Sequence, residues 1–486
     1  MPEKTKDTKQ PGGQLGLTVK KAENFSEWYT QAVLKAELAD YSPVKGCMII
    51  RPNGYALWEN IQRVFDEELR KLGVRNAYFP LFIPESFFKK EAEHVAGFAP
   101  EVAWIEAKPE EERIAIRPTS ETIIYDAYSK WIRSWRDLPL RLNQWCNIVR
   151  WETEATKLFL RTREFLWQEG HTVHATAEEA GHETVHMLKE YQRFFEQKLG
   201  LPAIAGRKSE SEKFAGAEYT TTLEAFMPDG RALQLATSHN LGQRFAKAFG
   251  ISFLGKDGRQ HLAWQTSWGF STRLIGAMVM LHGDDRGIIV PPEIAPTQAV
   301  IVPIWFGKDK AQVLKASRKL EQELAAQRIR VLLDDRESYT PGWKFNDWEL
   351  KGVPLRIELG PKDIAKKLAV LVRRDDNKKM HVPQAKLAAQ VKKTLVAIQK
   401  ALLERAKRAL SAAIIKVEEI GALEKAIEDK RFVLAPWCGD AACEASIKEH
   451  TGATSRCIPF EKPKRPGRCV FCKKATKTYA YFARAY

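Results

Sequence analysis

Long apolar runs are missing from this 486-residue sequence. A membrane-spanning helix needs roughly 20 consecutive apolar residues, and since no stretch approaches that length we expect no membrane association. Residues 1–16 are rich in Lys, Gln and Gly and lack the apolar segment of a secretory signal, so we expect them to be disordered. These absences favour a cytoplasmic location.

Cysteine is scarce too: the chain has seven, an odd number that argues against a disulfide framework. Four of them form two close pairs, Cys438 with Cys443 and Cys469 with Cys472. This spacing is typical of tetrahedral four-cysteine zinc sites, in which zinc keeps no open position, so we expect a structural zinc. Cys457, in an apolar run between the pairs, is interpreted as a buried thiol, with a substitute ligand as the alternative.

Acidic residues are outnumbered. Lys and Arg total 77 against 61 Asp and Glu, which gives a formal net charge of +16. Such a surplus is compatible with an anionic partner such as a nucleic acid, although many basic surfaces are merely solvated. The chain is too long for one hydrophobic core, so two to four domains are expected.

The most informative stretch runs from Val149 to His171. Arg150 and Glu152 are two apart on an extended segment and therefore project to the same face. After a polar turn, Arg161 and Glu169 place another cation and another carboxylate over the same face. Guanidiniums form bidentate hydrogen bonds with phosphate oxygens. Carboxylates accept hydrogen bonds from amino groups and coordinate magnesium, so this pattern suits a nucleotide.

This spacing resembles motif 2 of the class II aminoacyl-tRNA synthetases. The segments LNQWCNIVRWE (142–152) and FLRTREFLWQEGH (159–171) are similar to those of prolyl-tRNA synthetases of the archaeal and eukaryotic-like type. The resemblance, which extends from about Glu27 to Tyr486, implies a multidomain α/β protein. Its expected parts are an antiparallel-sheet class II catalytic core, an α/β anticodon-binding domain and a small α+β zinc-containing C-terminal domain. It also implies that L-proline is activated with ATP and Mg2+ and passed to tRNA(Pro) by a homodimer.

Changes in the residue pattern along the chain suggest the domain boundaries. We expect a catalytic domain over 17–294, an anticodon-binding domain over 295–383, and a linker helix with the zinc-binding domain over 384–486. After Pro291–Pro292, strand-like runs alternate with helical stretches, which indicates an α/β layer fold. The runs are Ala299–Ile304, Ile329–Leu333, Leu355–Leu359 and Leu368–Val372.

Two helical stripes frame these domains. Residues 56–72 carry apolar side chains at helical spacing, then come Gly73 and an extended piece, Ala77–Pro84. This order resembles motif 1, which builds the dimer interface in the family. A second stripe predicts an amphipathic basic helix, interpreted as covering a core, with tRNA contact as the alternative. Its members are Leu387, Val391, Leu395, Ile398 and Leu402.

The proline site is expected from two segments. Thr119 and Glu121 resemble the family's proline-binding loop, in which the carboxylate faces the substrate's ammonium; a plain helix N-cap is the alternative. Trp167, Glu169 and His171 alternate and so share one face, where an indole wall and polar groups suit a small apolar ring with charged edges. The alternative places Trp167 in a core and the other two on the surface.

The ATP site is expected from two later segments. In Gln234–Gly242 the resemblance implies that Gln234 and Thr237 hold ATP and that His239 lines the proline site. The segment Ser267–Gly276, with Ser271 and Arg273, resembles motif 3. Its arginine stacks on adenine, as a flat guanidinium can.

The resemblance also implies roles for the cations of motif 2. Arg150 should bridge the α-phosphate and the proline carboxylate, and with Arg273 it forms the expected catalytic pair. Glu152 should lie near the adenine edge and Arg161 on the distal phosphates. In the second domain, residues 341–356 resemble the anticodon-reading surface. The contacts expected there are Lys344, Glu349, Lys351 and Arg356.

Some readings compete. His182, Glu183 and His186 fit the His-Glu-x-x-His zinc pattern, but a chance match on a surface helix is favoured because so short a pattern recurs often. A catalytically dead paralogue should have lost Arg150, Arg273 or Glu121, and none is lost. A zinc-containing nucleic-acid-binding protein leaves the ATP and proline loops unexplained.

We expect no editing domain between motifs 2 and 3, where helical sequence fills the span, or at either terminus.

Overall fold

The structure is a computed structural model that describes residues 16–94, 102–106, 108, 110–151, 156–461, 463 and 465–486. The expected disorder of residues 1–16 lies almost wholly outside these residues. The chain forms two compact units. Unit 1 holds residues 1–39, 50–57 and 282–402, and unit 2 holds residues 40–49, 58–281 and 403–486.

The α-helices of the described residues are α1 (Phe25–Lys35), α2 (Pro52–Lys71), α3 (Glu85–His94), α4 (Glu121–Trp131), α5 (Ala177–Phe194), α6 (Arg244–Phe249), α7 (Arg273–His282), α8 (Lys310–Ala326), α9 (Pro341–Leu350), α10 (Pro361–Ala365), α11 (Leu387–Ala413), α12 (Ile420–Glu428) and α13 (Ala441–Thr451). The strands are β1 (Ala39–Tyr41), β2 (Met48–Ile50), β3 (Arg75–Asn76), β4 (Phe82–Pro84), β5 (Ala103–Ile105), β6 (Ile114–Ile116), β7 (Leu140–Val149), β8 (Glu164–His174), β9 (Ile204–Arg207), β10 (Tyr219–Phe226), β11 (Arg231–Gly242), β12 (Ser252–Leu254), β13 (Gln260–Leu262), β14 (Trp264–Ser271), β15 (Ala299–Pro303), β16 (Val331–Leu333), β17 (Leu355–Leu359), β18 (Leu368–Arg373), β19 (Lys379–Pro383), β20 (Ile414–Lys416), β21 (Phe432–Pro436), β22 (Thr454–Pro459), β23 (Gly467–Arg468), β24 (Ala475–Thr476) and β25 (Tyr479–Ala485).

Unit 2 is organised by one large sheet. Its strand order is β20-β21-β25-β22-β9-β10-β11-β14-β8-β7-β3, and its centre, from β9 to β7, is antiparallel. Helix α5 packs across β11 and β14. Of the strands after residue 413, β20, β21, β22 and β25 belong to this sheet. Strand β22 pairs with β9 at Ile458↔Arg207, and β25 also pairs with β11 at Arg231↔Arg484. The cysteine-bearing C-terminal segment is therefore hydrogen-bonded into the same sheet as the strands of the candidate site.

Unit 1 contains a five-stranded sheet of order β16-β15-β17-β18-β19. Strands β16, β15 and β17 are parallel, and β18 and β19 are antiparallel to their neighbours. The predicted apolar stripe of α11 is buried in the same core cluster as Ile301, Ile357 and Leu371 of the sheet. The interpretation of this stripe as a core-covering face is confirmed, and its alternative, tRNA contact by the basic face, stays untested.

The four predicted strands of unit 1 are present as β15 to β18. Strand β19 was not predicted, because Lys379–Pro383 has a low apolar content and only Val382 of this strand is buried. Among the described helices, none has the length and apolar content that crossing a membrane requires.

Candidate active site

Three neighbouring strands of unit 2 align the candidate residues in rows. In one row His239 of β11 pairs with Ser267 of β14, which pairs with His171 of β8. In the next row, two residues along each strand, Thr237 pairs with Gly269 and Gly269 with Glu169. Because side chains alternate with a period of two, both rows point to the same face.

A cavity of about 270 Å3 lies over these rows. The residues that the sequence placed in the site and that line the cavity are Thr119, Glu121, Arg150, Trp167, Glu169, His171, Gln234, Thr237, His239, Ser271 and Arg273. Gly269 keeps the floor open between Thr237 and Glu169, and a Cβ there would lie 2.7 Å from the Gln168 carbonyl oxygen. The expected face shared by Trp167, Glu169 and His171 is thus realised on β8.

Glu169 is the hub of a buried network. It is 2% exposed and accepts hydrogen bonds from Ser120 Oγ (2.5 Å) and Gln144 Nε2 (2.8 Å), while His171 Nε2 lies 3.0 Å from its other oxygen. Burial by itself would raise the pKa of Glu169, but the hydrogen bonds and charge of His171 and the bonds from Ser120 and Gln144 outweigh it and lower the pKa. Glu169 is therefore a carboxylate whose acceptor sites are largely taken.

His171 carries the complementary charge. Burial would lower its pKa, but the hydrogen bond and charge of Glu169, with the charge of Glu121, raise the pKa above 6.5. Tyr125 Oη lies 3.1 Å from its Nδ1, so both ring nitrogens have partners. Ser120, Gln144 and Tyr125 were not predicted from the sequence, because they have no motif signal of their own and contact Glu169 and His171 only in the folded chain.

Thr119 and Glu121 stand at the start of α4. Ser120 is the N-cap of this helix, but its side chain makes no capping hydrogen bond and turns to Glu169 instead. Thr119 Oγ1 donates to the Glu121 carboxylate, and both residues are nearly buried at the cavity wall. These contacts do not match a plain N-cap, and the role of the two residues in binding substrate stays a prediction.

His239 is held differently from His171. Its Nδ1 lies 2.9 Å from Thr220 Oγ1, and its ring centroid is 5.0 Å from that of Phe214. Desolvation, then the charges of His171 and Arg150, lower the pKa of His239 to about 3, so its imidazole is neutral. Phe214, Thr220 and their neighbours Glu212 and Lys213 also line the cavity. These residues were not predicted from the sequence, although Gly216 between Glu212–Phe214 and the run Thr220–Thr222 indicates a loop followed by a strand.

Two guanidiniums stand where the main cavity adjoins a second one of about 260 Å3. Arg150 follows the end of β7, and its Nε donates to the Pro118 carbonyl at 3.3 Å. Arg273 opens α7 and donates to the carbonyls of Leu160 and Gln234, both at 3.2 Å. The second cavity also holds Arg161, whereas Glu152 lies outside the described residues.

Comparison with known families places three matches along the chain. Residues 103–282 match the tRNA synthetase class II core domain (G, H, P, S and T). Residues 298–394 match the anticodon binding domain, and residues 420–486 match the prolyl-tRNA synthetase C-terminal domain.

Curated relatives match almost end to end. The proline–tRNA ligase of Cenarchaeum symbiosum (strain A) is 52% identical over 477 residues, which cover 97% of this chain and 100% of the relative. That of Natranaerobius thermophilus is 52% identical over 471 residues, covering 96% and 97%. Proline–tRNA ligase 2 of Clostridioides difficile (strain 630) is 50% identical over 471 residues, again 96% and 97%.

The chain belongs to the prolyl-tRNA synthetase family. The expected class II core, anticodon-binding domain and C-terminal domain are thereby confirmed. The sequence-based boundaries at residues 294 and 383 stay predictions.

The C-terminal domain of this synthetase brings the four paired cysteines together. The Sγ atoms of Cys438, Cys443, Cys469 and Cys472 all lie within 4.8 Å of one another. A tetrahedral centre with zinc–sulfur distances of about 2.3 Å puts its sulfurs about 3.8 Å apart, and Cys438 Sγ and Cys472 Sγ are 3.8 Å apart. The cluster therefore fits zinc.

The thiols of the cluster differ in pKa, and the fifth thiol lies outside the cluster. A backbone hydrogen bond from Lys474 lowers the pKa of Cys472 to about 7, whereas burial raises the pKa of Cys438 and of Cys443. Cys457 is buried in β22, beside the Glu224 carboxylate and outside the cluster, where burial raises its pKa.

In the anticodon-binding domain of unit 1, the residues expected to contact tRNA lie on α9 (Lys344 and Glu349), at its C-cap (Lys351) and on β17 (Arg356). Lys344 is 1% exposed, and its Nζ donates to the Asp334 carbonyl at 2.9 Å. Arg356 donates to Glu349 at 2.8 Å, and Lys351 Nζ lies 3.0 Å from Asp347 Oδ1. Lys344 and Arg356, which is 8% exposed, are therefore buried in ion pairs, and Glu349 and Lys351 are paired with neighbouring charges. Contact of these residues with tRNA stays a prediction.

An aromatic pair that was not predicted from the sequence lies beside these ion pairs. The rings of Tyr339 and Trp343 stack at 3.8 Å, and the Arg336 guanidinium lies 5.1 Å from the Tyr339 ring. Tyr339 is exposed. Stacked aromatic and guanidinium planes are the groups on which unpaired RNA bases pack.

Proposed function

We propose that this protein is a proline–tRNA ligase. It activates L-proline with ATP to prolyl-adenylate and then transfers the prolyl group to the 3′ end of tRNA(Pro). Near-complete matches to proline–tRNA ligases at 50–52% identity support this function, together with the class II core. The observation that carries it is the division of one cavity between buried carboxylates and two guanidiniums.

The carboxylate end suits proline. The secondary ammonium of proline would meet Glu121, because Glu169 already accepts from Ser120, Gln144 and His171. Trp167 would form the wall against the pyrrolidine ring, and the neutral His239 would close the opposite side. A ring of apolar atoms with one cationic edge is thus matched by one aromatic wall and one available carboxylate.

The guanidinium end suits ATP. We assign Gln234, Thr237 and Ser271 to the nucleotide, and Arg161 of the second cavity to its distal phosphates. Glu152 remains a proposed contact of the adenine edge. Mg2+ would accompany ATP and neutralise phosphate charge.

In the first step, a carboxylate oxygen of proline attacks the α-phosphorus and the bond to the bridging oxygen breaks, releasing pyrophosphate. Arg150 would hold the attacking carboxylate and the α-phosphate together, and Arg273 would cover the adenine and face the phosphates. No side-chain nucleophile is needed, so catalysis rests on positioning and charge stabilisation. In the second step a ribose hydroxyl of the terminal adenosine attacks the prolyl carbonyl carbon, and AMP leaves.

The remaining features are assigned as follows. Cys438, Cys443, Cys469 and Cys472 would hold one zinc, whose four bonds brace the C-terminal domain. The anticodon would be read by Lys351, Glu349 and Arg356, with Lys344 beneath them. Tyr339 and Trp343 would provide stacking surfaces for its bases.

We also propose that the protein is cytoplasmic and forms a homodimer. The dimer is supported by two exposed side chains of the motif 1 segment, Tyr78 (72% exposed) and Phe82 (50% exposed). The cysteine cluster supports assignment to the archaeal and eukaryotic-like type.

Pyrophosphate exchange with each of the twenty amino acids tests the function. Proline should support the fastest exchange, with alanine far behind. Exchange driven best by another amino acid, or none with proline, would overturn the proposal.

A further inference from the structure

One wall of the cavity is formed by the loop between β9 and β10. Residues 208–218 connect β9 to β10, and Glu212, Lys213 and Phe214 of this loop line the cavity. Phe214 lies against His239, with ring centroids 5.0 Å apart, at the end of the cavity that also holds Glu169 and His171.

The loop is tied to a carboxylate of the C-terminal domain. Ser209 Oγ donates to Glu444 Oε1 at 2.9 Å, and Ser211 Oγ donates to Glu444 Oε2 at 2.5 Å. Ser455 of β22 donates to the same carboxylate. Glu444 is 8% exposed and Ser209 is 2% exposed. Since a buried carboxylate is costly unless hydroxyls or amides satisfy it, these three donors hold its position firmly.

The anchored serine also sets the turn that leads to Phe214. The backbone N–H of Lys213 donates to the Ser209 carbonyl at 3.0 Å, and that of Phe214 donates to Thr220 Oγ1 at 3.0 Å. Thr220 in turn contacts His239. Ser209 is thus linked to Phe214 through this turn, and Phe214 is linked to His239 through Thr220.

We propose that Glu444 is a positioning residue for the amino-acid end of the cavity. Through Ser209 and Ser211 it holds Phe214 against His239, so that the C-terminal domain tunes amino-acid binding without touching the substrate. This inference rests on the proposed proline activation. Glu444 acts on the loop and not on the guanidinium end, so its loss should weaken proline binding and spare ATP binding.

The test compares full-length Glu444→Ala, Ser211→Ala and the double variant in proline-dependent pyrophosphate exchange. Glu449→Ala is the matched control, since Glu449 is an exposed carboxylate on the same helix, α13. Hydrogen bonds to charged groups are strong enough that Glu444→Ala should raise the proline KM about tenfold or more. Ser211→Ala should raise it less, and the ATP KM and the control should stay at the wild-type values.

Two further results separate positioning from a general effect on folding. The double variant should be no worse than Glu444→Ala alone, because both changes remove the same contact. Glu444→Gln, which keeps an acceptor oxygen, should recover part of the proline affinity.

An unchanged proline KM in folded Glu444→Ala would overturn the inference. If that variant does not fold, an unchanged KM in Ser211→Ala, where only one surface hydroxyl is removed, overturns it instead. Failure of the proposed function would look different, since the wild-type protein would then lack proline-dependent exchange.

Discussion

Two histidines of the cavity differ in charge because of the residues that face them. His171 lies against the Glu169 carboxylate, which raises its pKa despite burial. His239 faces a hydroxyl and the positive charges of His171 and Arg150, which lower its pKa after desolvation. Residues that look alike in the sequence thus have opposite electrostatic roles, one as an ion-pair partner and the other as a neutral wall.

The His171–Glu169 pair predicts a pH dependence of stability. A raised histidine pKa adds stability that is fully present below the unfolded value of 6.5 and is lost as pH rises through the folded value. The non-titrating variant His171→Gln should therefore be most destabilised, relative to wild type, at about pH 6 and much less at about pH 9. Urea unfolding of both proteins across this range measures the difference. A gap that widens with pH would contradict the ion pair.

Arg150→Ala should nearly abolish adenylate formation while leaving the fold intact. Its guanidinium faces the cavities and is not packed in a core, so the loss falls on charge stabilisation. Removal of one such contact typically lowers the rate about a hundred- to a thousand-fold. Proline-dependent pyrophosphate exchange measures the loss, with Arg259→Ala, an exposed arginine of the β12–β13 turn, as the control. Near-wild-type exchange by Arg150→Ala would refute its assignment.

At the scale of elements, strand pairing determines which side chains meet. The β11–β14–β8 rows bring His239, Ser267 and His171 side by side from three separate segments. In the same way, the β9–β22 pairing joins the C-terminal strands to the catalytic sheet. Close approach at this second junction depends on one glycine, since a Cβ on Gly206 would lie 2.4 Å from the Ile458 carbonyl oxygen.

Gly206→Ala should therefore destabilise unit 2. The added methyl group must push β9 and β22 apart, and overpacking of this kind costs about 1–3 kcal/mol. Thermal and urea unfolding measure the cost. The matched control is Gly421→Ala in α12, where nothing lies within 4 Å of the new Cβ and alanine favours the helix. Equal stability of the two variants would show that the junction tolerates the methyl group.

The cysteine cluster predicts one zinc per chain, serving the fold. Chelation should first loosen the elements around Cys438 and Cys472, and the sheet that these elements share with β9 should weaken next. Metal analysis of freshly purified protein and thermal unfolding with a chelator test this. The double variant Cys469→Ser/Cys472→Ser should lose the zinc and Cys457→Ala should keep it. Retention of zinc by the double variant would contradict the ligand set.

At the scale of the whole molecule, we predict that the enzyme misactivates alanine and does not hydrolyse the misacylated product itself. Each methylene that alanine lacks is worth only ~1–3 kcal/mol, or roughly 10–200-fold in discrimination. The structure describes every residue between β8 and β14. This span consists of α5, α6, the five strands β9 to β13 and their connections, and it contains no inserted domain. Preformed Ala-tRNA(Pro) should therefore decay at the buffer rate in the presence of the enzyme. Faster hydrolysis would reveal an editing site.

The sequence by itself determined the family, the order of domains, the four strands β15 to β18 and the four cysteines. The family and the order of domains follow from the resemblance of the motif segments. The strands and the paired thiols rest on local spacing, because alternation and cysteine pairs can be recognised within a few dozen residues. Most of the predicted site residues line one cavity. Three of them, Trp167, Glu169 and His171, share a face because they alternate along one strand.

Only the tertiary structure decided what surrounds those residues. Ser120 and Gln144 meet Glu169 from other elements, Lys344 turns inward to Asp334, and Glu444 reaches Ser209 from a position 235 residues away. None of these contacts has a local signature, because strand register and helix packing set them over long chain separations. Burial, partner and charge state follow from that packing, which a one-dimensional pattern does not contain.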